Sequence, residues 1–109
     1  MAEYEMLWIT DDPISSVGKN TIRKKREAYD RMIPGDTVLM IATTDGDRGA
    51  VHMVERLVVK SVAEGRGDKI VEIFVPNNHS RLNANGLHDV LSEIYGNIDD
   101  QWLMAITFY

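Results

Sequence analysis

The last nine residues, 101–109, constrain the fold of this 109-residue chain more than any other segment. The even-numbered positions are all apolar, and the odd-numbered positions are mostly so. The even set is Trp102, Met104, Ile106 and Phe108, and the odd set is Leu103, Ala105, Thr107 and Tyr109. Because alternate side chains of a strand project to opposite faces, both faces of this segment need to be covered. The segment is therefore predicted to be a central strand of a sheet that is packed on both sides.

The composition limits the classes of protein to which the chain can belong. It is 44% hydrophobic and 27% charged, and a chain of this length holds one ordinary core, so residues 1–109 are predicted to form one domain. The absence of cysteine excludes disulfide scaffolds, zinc–thiolate sites and cysteine nucleophiles. Glu3 and Glu5 stand where a secretion signal would be basic, and no apolar run is long enough for a membrane helix. We expect a cytoplasmic protein that does not enter a membrane.

Four further strands are predicted from short apolar runs that end at turn residues, at 6–10, 37–43, 50–60 and 70–75. The turns are Pro34-Gly35-Asp36, a hairpin loop at 45–49 and a second turn at 65–68, and residues 76–85 are predicted to be a polar loop. Frequent hairpins between short elements do not suit a doubly wound parallel sheet. They favour an α+β protein with a small mixed barrel and flanking helices.

The clearest helix is predicted over residues 86–95, because apolar side chains recur there at i, i+3, i+4, i+7 and i+8 before Gly96. A short helix is predicted at 13–17, where Asp12 provides a cap and Pro13 occupies the first turn. Residues 20–32 form either a helix with a thin apolar stripe or a segment with an extended start at 21–23.

The charge of the chain is unevenly distributed. The net charge is −5, yet residues 19–31 carry six basic residues against Glu27 and Asp30, which leaves −9 on the rest. An acidic body with one basic stretch focuses its field and draws an anion to one place. The alternative is an ordinary solvated helix face. The basic residues of this stretch are Lys19, Arg23, Lys24, Lys25, Arg26 and Arg31.

The order of three short motifs resembles the ASCH domains of the PUA-like superfamily, over about residues 6–108. The first motif is Gly18-Lys19-Asn20-Thr21-Ile22-Arg23, and the second begins at Gly35-Asp36. The third is the segment 91–96 followed by the terminal strand. The resemblance implies a PUA-like β-barrel with flanking helices and a cleft beside the Lys–Thr–Arg motif.

Members of that family bind RNA or nucleosides, some small members remove the acetyl group from acetylcytidine, and one relative is a ribonuclease. By resemblance, Lys19 and Thr21 match the catalytic lysine and threonine, and Arg23 matches the arginine of the motif. The chain departs from the pattern in two ways. Lys19 precedes Thr21 by two residues instead of three, and residues 77–85 contain His79 and Ser80 but no acid where a catalytic glutamate belongs.

These departures favour a binding module for RNA or a modified nucleoside or nucleotide, with a basic cleft at residues 19–26. The predicted binding residues are Gly18, Lys19, Asn20, Thr21, Arg23, Lys24, Arg26, His79 and Ser80. The alternative is a small hydrolase, an acetylcytidine amidohydrolase or a ribonuclease, in which Thr21 is the nucleophile, Lys19 the base and Glu55 or Glu72 the acid. His79 is a further candidate, either as a general base or as a group that contacts the edge of a base. A plain protein-interaction domain is a third possibility.

No cofactor is expected, and the spacing of the three histidines does not match a metal site. Trp8 and Trp102 are both predicted to lie in the core. Stacking on a base is the alternative role for Trp8, and Tyr29 is a second candidate for such stacking.

Overall fold

Five strands and two α-helices make up the fold in the computed structural model, which describes residues 1–44 and 50–109. Two short 3-10 turns, at Glu27–Tyr29 and Val75–Asn77, connect them. In chain order the elements are β1 (Glu3–Ile9), β2 (Asn20–Lys24), β3 (Thr37–Thr43), β4 (Val51–Arg66), α1 (Gly67–Phe74), α2 (Ala84–Tyr95) and β5 (Trp102–Phe108).

The strands form one mixed sheet in the order β1-β3-β4-β5-β2. β1 runs parallel to β3, and the other three pairings are antiparallel. The long strand β4 pairs with β3 through residues 51–58 and with β5 through residues 59–66, with a register shift between Val59 and Ser61. A shift of this kind bends a strand, and the sheet curls into a half-barrel whose two edge strands are β1 and β2.

Two separate cores pack against the sheet, and β5 contributes to both. The two cores lie on opposite faces of the sheet, and the second lies under the two helices. The first comprises Met6, Trp8, Met32, Val38, Met40, Ala42, Leu57, Val59, Met104, Ile106 and Phe108. The second comprises Ile22, Ile70, Val71, Leu87, Leu91, Ile98, Leu103 and Ala105. The alternation of side chains along β5 thus fills both cores, which confirms its prediction as a central strand.

Several predicted elements are found in the structure. The strand at 37–43 is β3, the strand at 101–109 is β5, and the helix at 86–95 is α2, which begins two residues earlier. Asn83 caps α2, because its side chain accepts a hydrogen bond from the Gly86 N–H at 2.8 Å. The strands at 6–10 and 50–60 are also present with different ends, as β1 and β4.

Two predicted elements are wrong, and a third follows the alternative that the sequence left open. Residues 70–75 are not a strand, because Ile70, Val71 and Phe74 lie on one face of helix α1, packed against the second core. A short run of apolar residues suits either structure, and here tertiary packing decides. The predicted helix at 20–32 is strand β2 followed by a 3-10 turn, which agrees only with its extended alternative. No helix forms at 13–17.

Trp102 is not in the core, since 54% of its surface is exposed. It is the first residue of β5, opposite Arg66 at the rim of the sheet, and its indole N–H donates to Glu64 at 3.1 Å. The predicted hairpin loop at 45–49 lies outside the described residues. The predicted turn at 65–68 is instead the end of β4 and the start of α1. Neither helix in the described ranges is long and apolar enough to cross a membrane.

Candidate functional site

A cleft of about 490 Å³ opens where the half-barrel fails to close, between the edge strands β1 and β2. Its walls are residues 5–9 of β1, residues 21–23 of β2 and one face of α2 between Leu87 and Tyr95. Arg26, Tyr29 and residues 78–80 complete the lining. The volume falls in the range of small-molecule sites, and one apolar wall faces a polar floor.

The polar floor is assembled by backbone pairing. Thr21 and Arg23 alternate with Ile22 on β2, so their side chains share the face of the strand opposite to the helix core. His79 is brought to Thr21 because its N–H donates to the Asn20 carbonyl at 2.8 Å, and Asn78 forms an isolated parallel bridge with Asn20. The cleft therefore has its polar residues fixed by main-chain contacts.

A chain of hydrogen bonds links four side chains at this floor. His79 Nε2 lies 3.1 Å from Thr21 Oγ1, and His79 Nδ1 lies 3.3 Å from Ser16 Oγ. Arg23 Nε donates to Thr21 Oγ1 at 3.0 Å. Thr21 Oγ1 accepts from Arg23 and has its own hydrogen to donate, and we assign that hydrogen to Nε2, which places the ring hydrogen on Nδ1, donating to Ser16. In this arrangement Thr21 faces an unprotonated imidazole nitrogen.

His79 is only 5% exposed and packs on Trp8, with ring centroids 4.2 Å apart and planes inclined by 32°. Burial, and to a smaller extent the charge of Arg23, lowers the pKa of His79 from 6.5 to about 3. The imidazole is therefore neutral at physiological pH, as the hydrogen-bond assignment requires.

Arg23 bridges the two edges of the half-barrel. From β2 its Nη1 donates to the Leu7 carbonyl of β1 at 2.6 Å, and Nη2 lies 3.5 Å from Met40 Sδ. Burial lowers the pKa of Arg23, partly offset by the nearby Tyr95 and Tyr29, while the charge of Arg26 has a smaller lowering effect. The guanidinium stays charged at neutral pH. Among the described residues, every acceptor that holds this half-buried cation is neutral.

The loop between β1 and β2 is tied across the His79 end of the cleft. Glu55 of β4 accepts from the Ser16 N–H at 2.7 Å and from the Ser15 hydroxyl at 2.5 Å. Asn77 donates to the Gly18 carbonyl at 2.6 Å, and Arg81 donates to the Asp12 carbonyl at 2.8 Å. These contacts fix Ser16, which is fully buried, beside the His79 ring.

The structure brings five of the predicted site residues together at the cleft: Thr21, Arg23, Arg26, His79 and Ser80. The other four do not line it. Gly18 is in the adjoining loop with φ of 73°, Lys19 is half-buried outside the lining, and Lys24 is exposed. Asn20 is buried, and its side chain donates to the Phe74 carbonyl at 2.9 Å.

The acids proposed for a hydrolase lie elsewhere. Glu55 bonds to Ser15 and Ser16, and Glu72 is paired with Lys69 at 3.6 Å on the surface of α1. Lys25 of the basic stretch is also paired, with Glu64 at 2.7 Å and Asp30 at 3.2 Å. Glu5 is the acid among the cleft-lining residues, and it is exposed.

Sequence reasoning assigned no site role to Leu7 or to the apolar wall of α2 that ends at Tyr95. The i, i+3, i+4 pattern of α2 predicts a buried stripe, but a pattern does not show that Val90 and Ile94 border an opening. Trp8 is in the core, as predicted, and also lines the cleft.

The fold and the cleft define a small half-barrel α+β protein with a cationic, aromatic-lined site at its open seam. Comparison of the chain with protein-family models, with curated proteins and with solved structures finds no match. In the described residues, no group of three or more histidine or acidic side chains is arranged to hold a metal ion.

Proposed function

We propose that this chain is a nucleotide-binding module of the PUA-like, ASCH type that its sequence resembles. Its cleft would hold one nucleotide, free or at an exposed position of an RNA. The observation that carries the proposal is that two guanidinium groups line one cleft, Arg23 half-buried against neutral acceptors and Arg26 on the same lining. Two neighbouring cations favour an anion between or beside them, and arginine suits phosphate because of its planar fork of donors.

The other walls suit the remainder of a nucleotide. Tyr29 and Tyr95 are half-buried and line the cleft, so each offers an aromatic face on which a base can stack. Such stacking contributes about 1–3 kcal/mol per base. The apolar face of α2 supplies further contact area for the base, and the half-buried Ser80 supplies a hydroxyl near the sugar and base.

Binding of a nucleoside monophosphate is expected to be about tenfold tighter than binding of the matching nucleoside, and Arg26→Gln is expected to abolish that difference. A charge-assisted hydrogen bond contributes about 1.5–3 kcal/mol, which corresponds to a factor of ten or more in the dissociation constant. Isothermal titration calorimetry measures the dissociation constants of uridine and of uridine monophosphate for wild type and for Arg26→Gln. Arg26 is the position to change, because Arg23 also connects β1 to β2.

Arg31→Gln is the matched control for Arg26→Gln. Arg31 is an exposed arginine of the same basic stretch, outside the lining of the cleft, so its loss removes the same charge from the chain. We expect wild-type binding from this variant. Equal losses of affinity from the two substitutions would show a diffuse electrostatic effect. If neither uridine nor uridine monophosphate binds the wild-type protein, the proposal is wrong.

A second candidate function, a hydrolase, rests on the 3.1 Å contact between Thr21 Oγ1 and His79 Nε2. In this reaction the Thr21 hydroxyl proton moves to Nε2 while Oγ1 bonds to the acyl carbon, and the carbonyl electron pair moves to its oxygen beside the Arg23 cation. The carbonyl then reforms as the bond from carbon to the amine nitrogen breaks, and Nε2 gives its proton to that nitrogen. Water, deprotonated by Nε2, finally displaces Oγ1 from the acyl carbon and releases acetate. The group in contact with Thr21 is thus His79, whereas Lys19 lies outside the cleft lining. Acetylcytidine is the substrate that the sequence resemblance implies.

If the hydrolase function holds, Thr21→Val is expected to reduce acetylcytidine deacetylation by at least 100-fold, because it removes the nucleophile and leaves only background catalysis. Lys19→Met is expected to retain activity. The rate is expected to be flat from about pH 5 upward, because the pKa of His79 is about 3 and its base form is present throughout. Activity that rises through a lysine pKa and disappears in Lys19→Met would identify Lys19 as the base.

A further inference from the structure

The outer edge of β2 presents main-chain N–H and C=O groups that point away from its partner strand β5. In an antiparallel ladder, residues alternate between those whose N–H and C=O bond to the partner strand and those whose groups point away from it. Along β2 the bonded residues are the odd-numbered ones, since Phe108 N donates to Lys19 O at 2.9 Å and Lys25 N donates to Trp102 O at 3.1 Å. The N–H and C=O groups of Asn20, Ile22 and Lys24 therefore point away from β5.

The first of these open positions is already occupied by the chain itself. The Asn20 carbonyl accepts from His79 N, and Asn20 and Asn78 form a parallel bridge, so a short segment begins a sixth strand beside β2. That strand ends at once. Arg81 N donates back to the Asn78 carbonyl at 3.1 Å, and Arg81 adopts a left-handed conformation with φ of 61°. The turn carries the chain away from the edge of β2.

Ile22 is consequently the next position of an interrupted ladder. In the described part of the chain, no backbone group outside the β2–β5 ladder bonds to the Ile22 main chain. The residue is 6% exposed as a whole and belongs to the second core, which holds its main chain in place. Ile22 lines the cleft, between Thr21 and Arg23 and beside the turn at Ser80.

We propose that the Ile22 N–H and C=O recognise the ligand directly, by pairing with a planar heterocycle that carries a hydrogen-bond acceptor next to a ring N–H donor. This inference rests on the proposed nucleotide-binding function and names the chemistry by which the base is recognised. The N–H and C=O of one extended residue point the same way, so they match an adjacent acceptor and donor, such as a uracil carbonyl and its neighbouring N–H. The heterocycle takes the place that the departing 77–81 segment leaves vacant.

This pairing requires that the base carry a hydrogen on the ring nitrogen next to its carbonyl group. A methyl group on the ring nitrogen removes the donor and places a carbon against the Ile22 carbonyl, so the interaction is lost while charge and stacking surface are retained. Discrimination of this kind is strong in principle, because a buried polar group that loses its partner is left unsatisfied. The expected ratio between uridine monophosphate and its N3-methyl form is at least tenfold in the dissociation constant.

Amide hydrogen exchange measured by NMR tests the proposal on the intact chain. In the free protein, the Ile22 amide is expected to exchange at least tenfold faster than those of Thr21 and Arg23, which are bonded to β5. Saturating uridine monophosphate is expected to slow exchange at Ile22 at least tenfold, and the N3-methyl form is not. The Lys24 amide is the internal control, because it points the same way but lies outside the cleft lining.

Replacing the Ile22 amide by an ester removes its N–H without changing any side chain, and it is expected to weaken binding about tenfold. The same replacement at Lys24 is expected to leave binding unchanged, and far-ultraviolet circular dichroism verifies that both chains fold.

Tight binding of uridine monophosphate with no change in exchange at Ile22 overturns this proposal and leaves the nucleotide-binding function supported. Free uracil that slows exchange at Ile22, without binding of any nucleotide, supports recognition at Ile22 and overturns the nucleotide-binding function. If neither uridine monophosphate nor uracil changes the exchange rate of the Ile22 amide, the proposal is wrong.

Discussion

The free energy of unfolding is expected to fall as the pH decreases from 6.5 towards 3, and His79→Gln is expected to remove a large part of that fall. The pKa of His79 is about 3 in the folded chain against an ordinary 6.5, because the ring is buried and lies near the Arg23 cation. Between these values the unfolded chain binds a proton at His79 and the folded chain does not, so acid favours unfolding. Above pH 6.5 the ring is neutral in both the folded and the unfolded chain, so its titration costs no stability. Below pH 6.5 the free energy of unfolding decreases progressively towards pH 3.

The size of the effect follows from the two pKa values. At about 1.4 kcal/mol per pH unit, a folded pKa of about 3 corresponds to a loss of at most about 5 kcal/mol. Urea unfolding at several pH values gives the slope of the free energy of unfolding against pH for wild type and for His79→Gln. The difference between the two slopes isolates His79, because carboxylates titrate in the same window in both proteins. His52→Gln, which removes an exposed histidine, is expected to retain the wild-type slope. Parallel curves for wild type and His79→Gln would show that His79 is protonated normally.

Gly67→Ala is expected to destabilise the fold by about 3 kcal/mol or more, which is the reverse of the usual effect in a helix. Gly67 is the first residue of α1, and a Cβ atom there would lie 2.0 Å from the Ile98 carbonyl oxygen and 2.8 Å from its carbon. Because these are backbone atoms, the contact cannot be relieved by a side-chain rotation. The loop that carries Ile98, which is fully buried in the second core, has to move.

Gly65→Ala is the control for this substitution. The glycine lies two residues earlier, and a Cβ atom there would meet only the flexible end of Ile70, at 3.5 Å. We expect this variant to be unchanged or up to about 1 kcal/mol more stable than wild type, because alanine has the smaller conformational entropy cost. Thermal melts distinguish the two, at roughly 4–8 °C per kcal/mol for a chain of this size. A stable Gly67→Ala protein would show that α1 and the Ile98 loop are farther apart.

The sequence predicts those parts of the fold where a period repeats over many residues. Helix α2 and strand β5 have complete apolar patterns, and their types and approximate limits are confirmed. The segments at 20–24 and 67–74 are short, and the partner that decides each is distant in sequence. β2 is a strand because it pairs with β5, more than 70 residues away, and α1 is a helix because one of its faces meets the second core.

At the site, the sequence indicates which polar residues are candidates but not which of them meet. Thr21 and Arg23 have neighbouring odd-numbered positions and therefore share a face, which a strand pattern implies once β2 is known to be a strand. The contact of His79 with Thr21 depends on the Asn78–Asn20 bridge, and that of Ser16 with His79 on a loop tied to Glu55. Such contacts between irregular segments leave no periodic trace in the sequence.

Strand β5 couples the two cores, because it contributes buried side chains to both of them. Met104 and Ile106 belong to the first core, and Leu103 and Ala105, between and beside them, belong to the second. Partial unfolding that separated one core from the other would have to pull alternate residues of one strand out of opposite layers. Unfolding followed in the first core at Trp8 and in the second around α2 should therefore proceed as one transition, with no state in which either layer persists alone.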